Sequence, residues 1–291
     1  MAIAEVAQQL DIGYTPDHDK YLARVQRRLK SGNLEKTLPP GFPAELKSDL
    51  VWDNTDIAER FNRTYELTAT DLEEIEKALK HFKSLGKPLR HVNQDTFPLP
   101  ILHSKLREIS NEVHHAFGFK VIRGLPVSTH TREQTIIIYA GIASHIAPIR
   151  GRQDNQYDGK PADVVLNHIK DLSKIYDANK IGAPAYTTDK QVFHTDSGDV
   201  IALLSLEEAA EGGESKLSSS WRVYNELART RPDLIRTLAE TWPAEKSVSH
   251  SYRPYLLMRP SFGDKAKPYI SRPLLHHQPA TSSSPERLII Q

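Results

Sequence analysis

Residues Phe193 to Ser215 read F-H-T-D-S-G-D-V-I-A-L-L-S-L-E-E-A-A-E-G-G-E-S. His194 and Asp196 stand two residues apart, ahead of an apolar run from Val200 to Leu206, an acidic bridge and the paired glycines Gly212 and Gly213. In an extended segment, side chains i and i+2 point to one side, so the imidazole of His194 and the carboxylate of Asp196 converge. One nitrogen and one oxygen donor suit a divalent metal. They form part of the two-histidine, one-carboxylate set that holds ferrous iron with coordination positions left open. The pair also has a plain alternative: with 13 histidines in the chain, one His-x-Asp arises by chance as a polar pair at a strand edge. Context favours the metal. Phe193 precedes the pair, Ser197-Gly198-Asp199 makes a small-residue turn after it, and Val200 to Leu206 reads as a strand apolar on both faces, as a sandwich core requires.

Further motifs lie on either side. A-A-E-G-G-E-S (209–215) and S-S-W-R-V-Y-N-E-L (219–227) follow, with R-P-D-L-I-R-T-L (231–238) and R-P-L-L-H-H-Q-P-A-T (272–281) beyond them. G-F-K-V-I-R-G-L-P (118–126), R-G-R-Q-D (150–154) and H-I-K-D-L-S (168–173) come before. Together these resemble the fungal branch of the taurine dioxygenase-like family of Fe(II)/2-oxoglutarate-dependent oxygenases. The resemblance implies an α+β fold: a double-stranded β-helix, the jelly roll of clavaminate synthase type, with flanking helices. It implies Fe(II) held by His194, Asp196 and a later histidine, with 2-oxoglutarate as co-substrate. It places at Ser215, just after the paired glycines, the hydroxyl that bonds the distal carboxylate of 2-oxoglutarate. A hydroxyl can donate that bond, but a buried carboxylate also needs a cation. Read without the family, Gly212-Gly213 is a tight reversal and Ser215 satisfies backbone groups there. The implied reaction oxidises an aliphatic C–H of a small polar or anionic molecule and releases succinate and CO2.

One departure from the family pattern matters. The resemblance places the second metal histidine and a 2-oxoglutarate-binding arginine late in the fold, after a Tyr-x-Arg-Arg segment, and no histidine follows His277. The jelly roll is therefore expected to lack its last strands within this chain. His276, with Arg287 eleven positions later, copies the late histidine and arginine only superficially, and His277 fits nearly as well. A tip between two strands, with both histidines exposed, is the competing account. Arg272 and Arg287 could each neutralise a carboxylate, and spacing singles out neither.

Composition narrows the function classes. Lys+Arg 38 against Asp+Glu 37 leaves a formal charge of +1, so no global field draws the chain to nucleic acid or to an anionic membrane. The absence of cysteine excludes disulfides, a thiolate metal site and a cysteine nucleophile, and fits a cytoplasmic location. The N-terminus carries acids and no long apolar core, so it does not read as a signal peptide, and no apolar run reaches the roughly 20 residues of a membrane span.

In chain order, residues 1–68 read as an irregular N-terminal arm with at most short helices, anchored by Val51-Trp52, and residues 69–291 as the oxygenase domain. Thr70 to Glu73 suggests a capping box for a helix with Leu72, Ile75, Leu79 and Phe82 inward, ending at Gly86. A second helix places Leu102, Leu106, Ile109 and Val113 on one face and stops at Gly118, with His114 and His115 complementing its dipole. Phe119 to Ile122 reads as a short buried strand, and Thr131 to about Ala147 as a core helix. The long polar connection 151–186 is interrupted by Val164 to Leu166 and leads into the His-x-Asp segment. Connections of that length are often functional, which makes Asn167 and His168 candidates for a pocket wall; a hydrogen-bonded strand role is the competing reading of His168. Ser219-Ser220 caps a helix through Trp221 and Tyr224, Pro232 opens the next, and Tyr252 to Pro260 and Arg272 to Leu275 read as strands.

A small-molecule substrate, no nucleic acid and no membrane are the expected partners, and an open sheet edge would invite a homo-oligomer. Two readings of other classes stay open. One is a truncated, catalytically silent relative that binds metal or 2-oxoglutarate weakly or not at all. The other is a cupin-type ligand-binding jelly roll, which would cluster its histidines near the glycine-rich motifs; this chain scatters them.

Overall fold

A computed structural model describes residues 18–32, 34–157, 160–177, 181, 184–189, 191–196, 198–245 and 269–290. Seven α-helices are described: α1 His18–Ser31, α2 Ile57–Arg60, α3 Ala69–Ser84, α4 Leu102–His115, α5 Arg132–Ile146, α6 Ser220–Thr230 and α7 Pro232–Ala239. Eight strands accompany them: β1 Thr64–Glu66, β2 Val121–Arg123, β3 Asp154–Tyr157, β4 Lys160–Val164, β5 Thr241–Glu245, β6 Tyr269–Pro273, β7 Leu275–Gln278 and β8 Arg287–Ile290. They pair as four two-stranded ladders, β1 with β2 in parallel and the other three antiparallel. The content is mixed α and β. The double-stranded β-helix implied by the resemblance is not assembled among the described residues.

The larger core is helical. Thr68 caps α3: its Oγ1 accepts from the Asp71 amide while the Asp71 carboxylate accepts from the Thr68 amide. The box thus lies two residues ahead of the Thr70–Glu73 position suggested by spacing. Ile75, Ala78, Leu79 and Phe82 form the buried stripe, and Gly86, at φ 59°, follows the last turn. Against this stripe pack Leu102, Leu106 and Ile109 of α4 and Ile137, Ile138 and Ala140 of α5, with Val92, Phe97 and Leu99 plugging the end. Helix α5 starts from a reciprocal box between Thr131 and Gln134, as the Thr131 boundary predicts.

Side chains from neighbouring helices satisfy the helix ends that lack a local partner. Ile101 stands at the N-cap of α4 and offers no acceptor. Glu74 of α3 replaces it: one carboxylate oxygen accepts from the Ile101 amide at 2.7 Å and the other from the Leu102 amide at 2.8 Å. At the far end of α5, Arg107 donates to the His145 and Ile146 carbonyls, and Ser110 donates to Ile146. His145 is buried, with Nε2 2.9 Å from the Phe97 carbonyl and Nδ1 2.9 Å from Nδ1 of His103. The carbonyl can only accept, so His145 carries its proton on Nε2, and His103 donates to the remaining lone pair.

A second core joins the N-terminal arm to the chain beyond residue 219. Leu46 packs with Trp221, Tyr224, Ala228, Ile235 and Leu275. Tyr224 donates to the Pro43 carbonyl at 2.6 Å, and Asn225 exchanges bonds with both backbone groups of Leu46. Ser219 caps α6 and Pro232 opens α7, both as read from the sequence. The arm also contains the 14-residue α1, longer than the short helices expected. Trp52 anchors as predicted, donating from Nε1 to the Phe117 carbonyl with its ring 5.5 Å from that of Phe119.

Three strand readings need correction or qualification. Val121 is 41% exposed, so Phe119 to Ile122 is not a buried strand; the strand here is β2, Val121–Arg123, half of a two-stranded parallel ladder with β1. The run Val200 to Leu206 forms no strand, and Leu203 is 76% exposed. An apolar strand is buried on both faces only when flanked by strands and covered by a facing layer; no described strand pairs with this run. Arg272 to Leu275 straddles the break between β6 and β7 instead of forming one strand. Tyr252 to Pro260 lies outside the described residues.

Two measurements test this account. Replacing Glu74 with Ala strands the α4 amides and should lower the unfolding free energy by about 1–3 kcal/mol in urea titrations, with Glu74→Gln in between. Burial holds the His145 imidazole below its ordinary value; the Phe97 carbonyl opposes that shift, while the His103 ring adds to it. A histidine with a depressed folded pKa contributes stability above its unfolded pKa of about 6.5 and loses it as pH falls, because the unfolded chain binds the proton first. Stability should therefore drop between about pH 7 and pH 5, and His145→Gln, which keeps one donor and one acceptor, should flatten that slope.

Candidate metal centre

Local turns mark the described part of the connection that leads to the centre. Asp171 accepts from the Ser173 amide, and the Leu172 amide donates to the Tyr186 carbonyl at 2.8 Å, closing the loop between them. The chain then runs through Val192 and Phe193, both about half exposed, into His194. The Nδ1 of His194 lies 2.6 Å from the Val192 carbonyl. A carbonyl only accepts, so Nδ1 carries the proton and Nε2 presents its lone pair outward. That Nε2 lies 3.7 Å from Oδ1 of Asp196. Between them, Thr195 Oγ1 reaches the Ile290 carbonyl of β8 at 3.5 Å, so the end of the β7–β8 hairpin lies beside the segment.

His194 and Asp196 thus face each other as the i, i+2 spacing predicts. Both side chains are more than half exposed, at 51% and 58%. Ser215 is exposed and makes no side-chain hydrogen bond among the described residues. Gly212 and Gly213 before it have φ 71° and 79°, two successive left-handed residues that only glycine adopts without strain. From α5, the Tyr139 hydroxyl donates to the Ala202 carbonyl at 2.6 Å, tying the apolar run to the helical core; burial pushes that phenol up.

Among the described residues, no group of three histidines and carboxylates is placed to share a metal ion. His276 and His277 therefore do not complete a triad with His194 and Asp196. They lie on strand β7 itself, where the competing account put a tip. His277 is enclosed, with Nδ1 2.6 Å from the Gly41 carbonyl and Nε2 2.9 Å from Glu286, so neither nitrogen is available to a metal. His276, Arg272 and Arg287 are exposed, as are Asn167 and His168. Asn167 contacts Gln153 Oε1 at 3.4 Å. The Val192 carbonyl that fixes the His194 tautomer carries no sequence signal, since any residue supplies one. Tyr139 was hidden in the apolar stripe of α5.

The donor types and the fixed Nε2 lone pair fit two of the three protein donors of a ferrous site of the two-histidine, one-carboxylate kind. The chain belongs to the taurine catabolism dioxygenase TauD, TfdA family, whose profile matches residues 82–290. That span contains His194, Asp196 and Ser215. The chain is similar to a taurine hydroxylase-like protein of Stachybotrys chartarum, 34% identical over 215 residues, covering 72% of this chain and 54% of the relative. It is also similar to the FR-33289 synthase of Streptomyces rubellomurinus, 23% identical over 185 residues, covering 64% of this chain and 52% of that protein. The chain spans about half the length of these curated relatives. No helix among the described residues is long and apolar enough to cross a membrane.

Proposed function

We propose that this chain carries the metal-binding segment of an Fe(II)/2-oxoglutarate-dependent dioxygenase that oxidises an aliphatic C–H of a small polar or anionic substrate. The observation that carries the reading is the approach of His194 Nε2 to Asp196 Oδ1 at 3.7 Å, within the span matched by the family. With 2-oxoglutarate and oxygen, bound Fe(II) would supply C–H oxidation, with succinate and CO2 as by-products. The chain's own groups bind and orient. The bond from His194 Nδ1 to Val192 directs the other nitrogen toward the metal position, and Asp196 contributes the carboxylate. Ser215, held by the glycine turn, is the donor proposed for the distal carboxylate of 2-oxoglutarate. In this reading the domain is a double-stranded β-helix and the protein is cytoplasmic.

The exposure of the pair, and the lack of a third ligand beside it among the described residues, favour a second reading in which this chain is catalytically silent and binds metal or 2-oxoglutarate weakly or not at all. Anaerobic titration with Fe(II), followed by succinate release under oxygen, separates the two. The dioxygenase reading expects saturable Fe(II) binding lost in His194→Ala and Asp196→Ala, and succinate formation abolished by either substitution. No succinate, with or without Fe(II) binding, would leave the silent reading standing, and succinate formation unchanged in Asp196→Ala would defeat both. Ser215→Ala should weaken 2-oxoglutarate binding by about 0.5–1.5 kcal/mol, the net worth of one hydrogen bond, without altering Fe(II) affinity.

A further inference from the structure

Tyr139 stands in the middle of α5, between Ile138 and Ala140 of the larger core. It is half-buried, and its hydroxyl leaves the helix to donate to the Ala202 carbonyl at 2.6 Å. Among the described residues, no other hydrogen bond joins 198–218 to the rest of the chain. Burial pushes the phenol up, so the hydroxyl keeps its proton through the neutral range and stays a donor. The apolar run supplies a second observation. Val200 and Leu204, two residues to either side of Ala202, are half-buried, whereas Ile201 and Leu203 are 48% and 76% exposed. The run thus rests on the body of the protein along one side, and the Tyr139 bond falls at the middle of that side.

Ala202 follows Asp196 by six positions, with Gly198 between them at φ 123°, a conformation that side chains disfavour. On the other side of the pair, Val192 and Phe193 are about half exposed, and Thr195 meets the Ile290 carbonyl only at 3.5 Å, the outer limit of a hydrogen bond. The Tyr139 bond is therefore the firmer attachment of the segment that carries the two ligands. Ligands held in place before an ion arrives lose less freedom on binding, and a site supported by a rigid element binds more tightly than one on a free loop. Helix α5 is such an element, with the Thr131–Gln134 box at its start and Arg107 and Ser110 on its last carbonyls.

We propose that Tyr139 is a positioning residue for the candidate metal centre: by holding the Ala202 carbonyl against α5, it keeps His194 and Asp196 in the arrangement that receives a metal ion. The metal's part in this rests on the dioxygenase reading, whereas the tether does not. Phenylalanine at this position keeps the packing of the ring and loses only the bond, so Tyr139→Phe isolates the contribution of the hydroxyl.

The chain has no cysteine, so Leu203→Cys offers one site for a nitroxide label, at a position that is 76% exposed. Labelled full-length chains with and without Tyr139→Phe are compared by electron paramagnetic resonance in the absence of metal. Loss of the tether should sharpen the lines of Tyr139→Phe, the mark of faster motion. Unlabelled wild type, Tyr139→Phe and Asp196→Ala are then titrated anaerobically with Co(II), whose visible absorption bands report ligand geometry. Tyr139→Phe should weaken the Asp196-dependent binding by about two- to tenfold, the net worth of one hydrogen bond, and should alter those bands while helical circular dichroism stays as in wild type. A role confined to the stability of the helical core would leave the bands unmoved. Unchanged label motion, or Co(II) affinity and bands equal to those of wild type, would overturn the assignment. If wild type binds Co(II) no better than Asp196→Ala, the dioxygenase reading fails, and the label spectrum alone decides whether Tyr139 holds the segment.

Discussion

The first amides of α4 have no local acceptor, because Ile101 occupies the position where a short polar side chain would cap the helix. Glu74 reaches them from α3 with both carboxylate oxygens and fixes how far along α3 the start of α4 sits. Once that register is set, Leu102, Leu106 and Ile109 meet Ile75, Leu79 and Phe82, and the groove they leave takes α5. Phe97 fills the remaining space so closely that a Cβ on Gly141 would come within 2.4 Å of its ring. The helical core thus depends on a polar contact as much as on apolar packing, since a misplaced α4 would leave buried amides without partners.

That arrangement was only partly legible beforehand. Helices α3 to α7 could be located from periodicity and caps, because 3.6-residue spacing and Ser, Thr or Pro boundaries are local properties. The Glu74 contact could not, because it joins residues 27 apart and Glu74 looks like any helical glutamate. Strands fared worse. Val200 to Leu206 has the apolar content of a buried strand, yet burial is supplied by neighbours and not by the run itself. The ladder of β1 with β2 was missed on the β1 side, since Thr64 to Glu66 is too short to show alternation.

At the candidate centre, the residue types and their spacing were readable and the supporting groups were not. His194 and Asp196 face each other because i, i+2 geometry is intrinsic to an extended backbone. The Val192 carbonyl that orients the imidazole is visible only in the folded chain. The contact from Thr195 to the Ile290 carbonyl, which brings the end of β8 beside the pair, joins residues 95 apart and carries no local signal.

The attachment of the N-terminal arm to the opposite end of the chain has a practical corollary. His277 grips the Gly41 carbonyl, Tyr224 grips Pro43, and Leu46 fills the space between Trp221 and Ile235. Leu46 and Asn225 alone close a loop of 179 residues, so these contacts form late relative to the local helices. An expression boundary drawn at the start of α3, which the polarity of the first 68 residues invites, would strip one wall from the second core. It would leave the indole of Trp221 and the ring of Tyr224 facing water, a greasy surface that invites precipitation. The irregular opening of this polypeptide is a clamp, and truncation designs should begin ahead of it.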